Sequence, residues 1–189
     1  MPQPGDSESR STVDTLIASD RVPANVRLDL LTEDDIWALL KNVKDPEVPA
    51  VSVVELGIVR SVNWNGKTLS VDVTPTYSGC PATELIEELI TEALRAAGFR
   101  DPKINRVLTP AWTTDWITAE GKDKLRMFGI APPQGSSSKM SLLGEPEIIV
   151  CPLCSSEHTE RVSEFGSTAC KALYRCKECL EPFDYFKCI

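Results

Sequence analysis

The sequence predicts an α+β protein: a small three-stranded mixed sheet with helices, followed by a short metal-stapled segment. Three observations predict it. Apolar periodicities of 3.6 and of 2 alternate across residues 31–130 in the order helix, strand, strand, helix, strand, helix. The strand–helix–strand unit crosses right-handed, which makes the second and third strands parallel. Finally, Cys151-Pro-Leu-Cys154 and Cys176-Lys-Glu-Cys179 stand 21 residues apart. Each Cys-x-x-Cys pair points two thiolates at one centre, and two pairs supply the four soft ligands of a zinc ribbon. The ribbon spans 147–189 and is too short and polar to fold on burial alone, because chains below about 40 residues usually need metal or disulfides.

Residues 1–30 are rich in Ser, Pro, Asp and Glu and read as a disordered arm, with a short helical turn at Val13–Ala18. Thr32-Glu-Asp-Asp35 resembles a capping box, and Ile36, Leu39, Leu40 and Val43 then share one helical face. Asp45-Pro46 ends that helix. Val51–Asn63 and Thr68–Thr74 read as a hairpin, with Asn65-Gly66 favouring a type I′ turn. Ala82–Ala97 is amphipathic through Leu85, Leu89, Ile90 and Leu94 and stops at Gly98. Lys103–Leu108 reads as the third strand, and Thr114–Phe128 as a helix kinked near Gly121. Residues 131–146 read as a flexible linker.

Composition narrows the function. The 189 residues carry a formal net charge of −8 and a pI near 4.8. That argues against a nucleic-acid partner, which needs clustered Lys and Arg. No run of about 20 apolar residues exists, so no membrane span is expected. Seven cysteines, an odd number, with no apolar N-terminal core point to a reducing, cytoplasmic setting and against a disulfide framework.

The spacing assigns Cys151, Cys154, Cys176 and Cys179 to one structural zinc. Cys170 and Cys188 are then either spare thiols or a second pair holding another metal or an iron–sulfur cluster. His158, four residues after Cys154, is read as solvent-facing in preference to a Cys3His ligand. Trp112 and Trp116 read as core or as a partner-binding edge. Glu84, Glu87, Glu88 and Glu92 form a solvated helix side.

Cys80 carries the chemistry of the first domain. It sits where a strand ends and a helix begins, and Pro81 at the first helical position makes Cys80 the expected N-cap. A thiolate there faces unpaired N–H groups and the positive helix end, which favours ionisation. Two readings of the residue stand: a small helix cap, or a reactive, metal-binding sulfur. Asp45 and Glu47, two carboxylates in a turn able to lie beside this loop, tip the balance to the second.

These residues also carry a resemblance. Asp45-Pro-Glu-Val-Pro49, Val54-Glu-Leu-Gly-Ile-Val59, Thr74-Pro-Thr76 and Gly79-Cys-Pro81 resemble the metal–sulfur cluster biosynthetic (SufT-like) family over about residues 32–130. Thr109-Pro-Ala-Trp-Thr-Thr-Asp-Trp116, Phe165-Gly-Ser-Thr-Ala-Cys170 with Lys-Ala-Leu-Tyr-Arg-Cys176, and Glu181-Pro-Phe-Asp-Tyr-Phe-Lys-Cys-Ile189 resemble its ribbon-bearing PaaD (PaaJ) branch. The resemblance implies an accessory protein of the phenylacetyl-CoA epoxidase system of aerobic phenylacetate degradation. Its work there is to assist iron or iron–sulfur assembly in a partner. It implies Cys80 as the transfer thiol with Asp45, Glu47 and Thr76, a transient iron or cluster as cargo, and contacts with the oxygenase or reductase subunits and with iron–sulfur assembly proteins. A homodimer stays open. The chain has no Glu-x-x-His di-iron motif, no Gly-x-Gly-x-x-Gly and no P-loop, so it is not expected to be catalytic alone. Two rivals remain: a non-catalytic adaptor within the monooxygenase complex, and a Cys80 thiol enzyme, which lacks a histidine base in its own domain.

Overall fold

The computed structural model describes residues 28–77, 79–134 and 148–187. Most of the N-terminal arm, including Val13–Ala18, therefore lies outside the described residues, as do Cys188 and all but the start of the expected linker. A 3-10 turn at Leu28–Leu30 leads into helix α1, Glu33–Leu40. The expected capping box is formed: Thr32 Oγ1 accepts from the Asp35 N–H, and the Asp35 carboxylate accepts from the Thr32 N–H at 2.8 Å. Ile36, Leu40 and Val43 bury the inner face.

The first strand is shorter than its apolar run. Strand β1 is Val59–Trp64, and Val51–Leu56 before it is folded into turns. Ser52 and Glu55 cap one another there: the Ser52 N–H donates to Glu55 Oε2 at 2.8 Å and the Glu55 N–H to Ser52 Oγ at 3.1 Å. Gly57, at φ +68°, turns the chain out of this loop under Trp116. Strand β2, Leu69–Val73, returns antiparallel to β1. The connection is not a two-residue I′ turn. Trp64 pairs with Leu69, and Asn65 keeps a negative φ because its Oδ1 accepts from the Lys67 and Thr68 N–H groups, an Asx turn.

Helix α2, Ala82–Ala96, carries the chain to strand β3, Lys103–Arg106, which lies parallel to β2 as expected. The sheet order is β1-β2-β3. The buried face of α2 is Ile86, Ile90 and Leu94; Ile90 and Leu94 are as expected and Leu89 packs against the core, but Ile86 takes the place expected of Leu85, which is exposed. The predicted last helix is two pieces, a 3-10 turn at Thr114–Trp116 and helix α3 at Ala119–Met127. The break falls at Ile117–Thr118, where Thr118 caps α3 through the Gly121 N–H, and not at Gly121 itself. Gly121 sits inside the helix because an added Cβ would meet the Glu55 carbonyl at 3.0 Å.

The ribbon is a four-stranded sheet in the order β4-β7-β6-β5. Its strands are β4, Ile130–Ala131; β5, Thr159–Ser163; β6, Lys171–Cys176; and β7, Pro182–Phe186. Strand β4 follows α3 after a two-residue turn and pairs parallel with β7, so residues on both sides of the expected 130/131 boundary join the ribbon sheet. The two parts also share apolar packing. Cys170 and Phe186 belong to the cluster built by the first domain, and Trp112 lies against Phe186 with ring centroids 6.2 Å apart. Trp112 is therefore core, its indole N–H donating to the Leu56 carbonyl at 2.9 Å. Trp116 is half-buried beneath Arg60, whose guanidinium stands 3.4 Å from the ring centroid.

Candidate functional site at the junction of sheet and ribbon

The expected residues of the first domain meet at one place. Asp45, Glu47, Thr76 and Cys80 line a cavity of about 20 Å3, floored by Leu56, Ile58 and Val73. Each arrives by a local device. The Asp45 N–H donates to the Val51 carbonyl, and Asp45 Oδ1 accepts from the N–H groups of Glu47 at 2.9 Å and Val48 at 2.8 Å. The turn is thereby locked with its carboxylate inside. Thr74 and Thr76 follow β2 directly, and the Cys80 carbonyl accepts from both the Thr83 N–H and its hydroxyl, which ties the loop to α2. Cys80 is half-buried and stands one residue before the helix cap, which is Pro81. The cap falls on Pro81, one residue beyond the expected Cys80; its backbone is already helical, at φ −66° and ψ −24°, and no side chain caps the helix.

Burial and charge set the tone of the cavity. Burial pushes the Asp45 carboxyl above its ordinary range, opposed by its two N–H donors and by Lys171. Glu47 is raised by burial and by the neighbouring Asp45, again opposed by Lys171. Lys171 is itself buried and pairs with Asp184 at 3.4 Å.

Sequence reasoning misses one neighbour of Cys80 and leaves the place of Cys170 open. Tyr77 flanks Cys80, and burial together with Cys80, Glu47 and Cys170 pushes its hydroxyl up to about 12. A tyrosine between Thr-Pro-Thr and Gly-Cys-Pro is visible in the chain, but nothing in that spacing tells a residue packed on the core from a surface one. Cys170, read as either a spare thiol or a partner of Cys188, lines the wall of the Cys80 cavity; Cys188 lies outside the described residues. Cys170 is buried, 3.0 Å from the Thr168 hydroxyl, and burial pushes its thiol up, opposed by that hydroxyl.

The ribbon's own centre is separate. The thiol sulfurs of Cys151, Cys154, Cys176 and Cys179 all lie within 4.8 Å of one another. Cys151 and Cys179 are 3.8 Å apart, and Cys154 and Cys176 are 3.5 Å apart. Tetrahedral zinc with Zn–S bonds of about 2.3 Å needs sulfurs about 3.8 Å apart, so the donor set fits zinc. Ser155 and Leu180, each one residue past a Cys-x-x-Cys pair, take left-handed φ values of +61° and +64°. This turn aims the N–H groups of Glu178 and Cys179 at Cys176 Sγ, and those donors help hold its thiol down at about 6. His158 is exposed, its Nδ1 2.8 Å from Glu178, and lies outside the four-sulfur group.

Among the described residues no helix is long and apolar enough to cross a membrane. Glu87 binds Arg106 at 2.7 Å on the outer side of α2, so one member of that acidic group is paired.

Comparison with known proteins places both parts. Residues 33–104 match the family of iron–sulfur cluster assembly proteins, and residues 135–187 match the PaaD zinc beta ribbon domain. An Fe-S protein maturation auxiliary factor of Porphyromonas gingivalis is 33% identical over 48% of this chain and 88% of its own length. A crystal structure of a domain of unknown function (DUF59) from Bacillus anthracis covers 49% of this chain and 90% of its own, with 27% identity and a TM-score of 0.46. An Escherichia coli protein named as a component of 1,2-phenylacetyl-CoA epoxidase is 52% identical over 155 residues, 82% of this chain and 92% of its own. With the assembly-type α+β domain, the four-cysteine ribbon and that identity over most of its length, the chain belongs to the PaaD family of phenylacetyl-CoA epoxidase proteins.

Proposed function

We propose that this protein is an accessory factor of a phenylacetyl-CoA epoxidase system that delivers iron, or an iron–sulfur unit, to a partner enzyme through Cys80. The observation that carries the reading is the enclosure of a half-exposed thiol with two carboxylates, Asp45 and Glu47, in a domain of the iron–sulfur assembly type. Thiolate suits soft and borderline metals, and carboxylate accepts the harder ferrous ion. Thr76 lines the same cavity as the sulfur, and Tyr77 lies beside it. The cargo is a substrate that passes through, whereas the ribbon's four cysteines hold zinc as a permanent staple. The oxygenase and reductase subunits are the proposed clients.

A transfer assay tests this. Epoxidase subunits purified from cells lacking this protein should be iron-poor, and anaerobic addition of the iron-loaded wild-type chain should restore their iron. Cys80→Ala should restore less than a tenth as fast. Equal restoration by wild type and Cys80→Ala would remove Cys80 from the transfer, and subunits already iron-replete without this protein, yet inactive, would favour the adaptor reading.

A further inference from the structure

Cys80 borders two spaces at once. On its inner side is the enclosed cavity of about 20 Å3, whose wall includes Asp45, Glu47 and the ribbon's Cys170. On its outer side is an open groove of about 420 Å3, bounded by Pro75, Gly79, Glu84, Arg106 and Leu108. We propose that Cys80 and Cys170 together hold a single divalent transition-metal ion, Fe2+ or Zn2+, that enters from this groove and is backed by Asp45 and Glu47. The inference rests on the reading of Cys80 as the transfer thiol and adds to it a second ligand, the form of the cargo and the route of entry.

Donor type and volume decide the ligand. Two sulfurs with carboxylate oxygens select borderline transition ions over Mg2+ and Ca2+, which take all-oxygen shells. A cavity of about 20 Å3 holds roughly one water-sized particle. One ion fits that space; the two irons and two bridging sulfides of even the smallest common cluster do not. The ion therefore travels alone, and sulfide joins it elsewhere.

Tightness follows from convergence. Among the described residues, the ribbon cysteines are the only group of three or more metal-ligating side chains whose donor atoms all lie within 4.8 Å of one another. The junction site is not drawn together in that way, so it binds less tightly and releases its ion again. Binding displaces a proton from each of the two thiols, and no electron moves. Because Cys170 sits immediately before β6, which ends at Cys176, the zinc staple fixes the position of the second ligand.

The test uses the full chain with its ribbon zinc in place, titrated without oxygen with Co2+ as an optical probe and then with Fe2+. One further ion per chain should bind, with a sulfur-to-cobalt charge-transfer band. Cys170→Ser and Cys80→Ser should each weaken that binding at least tenfold and roughly halve the band, while each keeps one zinc per chain as proof of an intact ribbon. In the unmodified protein, bound Co2+ should slow alkylation of Cys80 and Cys170 alike, a readout independent of whether the variants fold. Wild-type affinity in Cys170→Ser, or protection of Cys80 alone, would overturn the inference and leave the reading of Cys80 as the transfer thiol intact. Absence of a second ion in the wild type would overturn it as well, and the transfer assay with Cys80→Ala judges the underlying reading separately.

Discussion

Gly57 shows how a single residue fixes the frame around the site. Its φ of +68° is one that side chains rarely adopt, and an added Cβ would meet Trp116 Cβ at 2.7 Å and the Trp116 carbonyl at 2.8 Å. Gly57→Ala should therefore destabilise the first domain by about 2–4 kcal/mol, from strain and a backbone clash together; a denaturant titration followed by tryptophan fluorescence measures it. Glu55, two residues earlier, is buried and holds Lys124. Burial alone would raise its pKa, but the Lys124 and Ser52 hydrogen bonds outweigh it and the value is lowered from 4.5. A depressed carboxyl stabilises the fold above its unfolded value, near 4.5, and that contribution disappears as pH falls through the lower folded value. Glu55→Gln should accordingly cost about 1–3 kcal/mol at pH 7 and progressively less below pH 4.5. Thermal melts of both proteins across that range check the sign.

At the scale of elements, the ribbon and the first domain are joined by β4 and by Phe186 packed on Trp112. Cys176→Ser removes one of the four proposed zinc ligands and should lower bound zinc to near zero, with collapse of the β5–β7 sheet, as read by metal analysis and amide exchange. Full zinc retention would instead assign the fourth ligand to another cysteine. Phe186→Ala should cost about 3–5 kcal/mol and loosen both parts in one transition, since the side chain is fully buried in the first domain's cluster. Two separate melts, with the first domain unshifted, would show that the parts fold independently.

Much at this scale was legible in the chain. The Thr32–Asp35 capping box, the parallel pairing of β2 with β3 and the Cys-x-x-Cys pairs are each set by local chemistry or by chirality, and each can be read without a partner segment. The exceptions include local turns, at Ser52–Glu55 and at Asn65, but most involve contacts between distant segments. Val51–Leu56 is apolar enough for a strand but is claimed by the Ser52–Glu55 turn and the Trp112 bond to Leu56. The exchange of Leu85 for Ile86 in the buried face of α2 depends on which face meets the sheet. Cys170 lies 90 residues from Cys80 in sequence, so no spacing rule links them, and only the docking of the ribbon does.

At the scale of the whole molecule, two proposed metal centres divide the tasks: a closed set of four thiols makes the ribbon fold, and a looser thiol–carboxylate site lies where the ribbon meets the sheet. The central claim is that the second serves a partner enzyme by way of Cys80. The most direct measurement is the iron content of the epoxidase oxygenase and reductase subunits, each purified from cells carrying the wild-type chain or Cys80→Ala. The variant strain should make both subunits in normal amounts, grow poorly on phenylacetate, and show a several-fold loss of iron in at least one of them. Asp45→Ala should give a milder form of the same loss. Normal iron in both subunits, with activity and growth still lost, would contradict the claim and assign this protein to the working complex in place of its assembly.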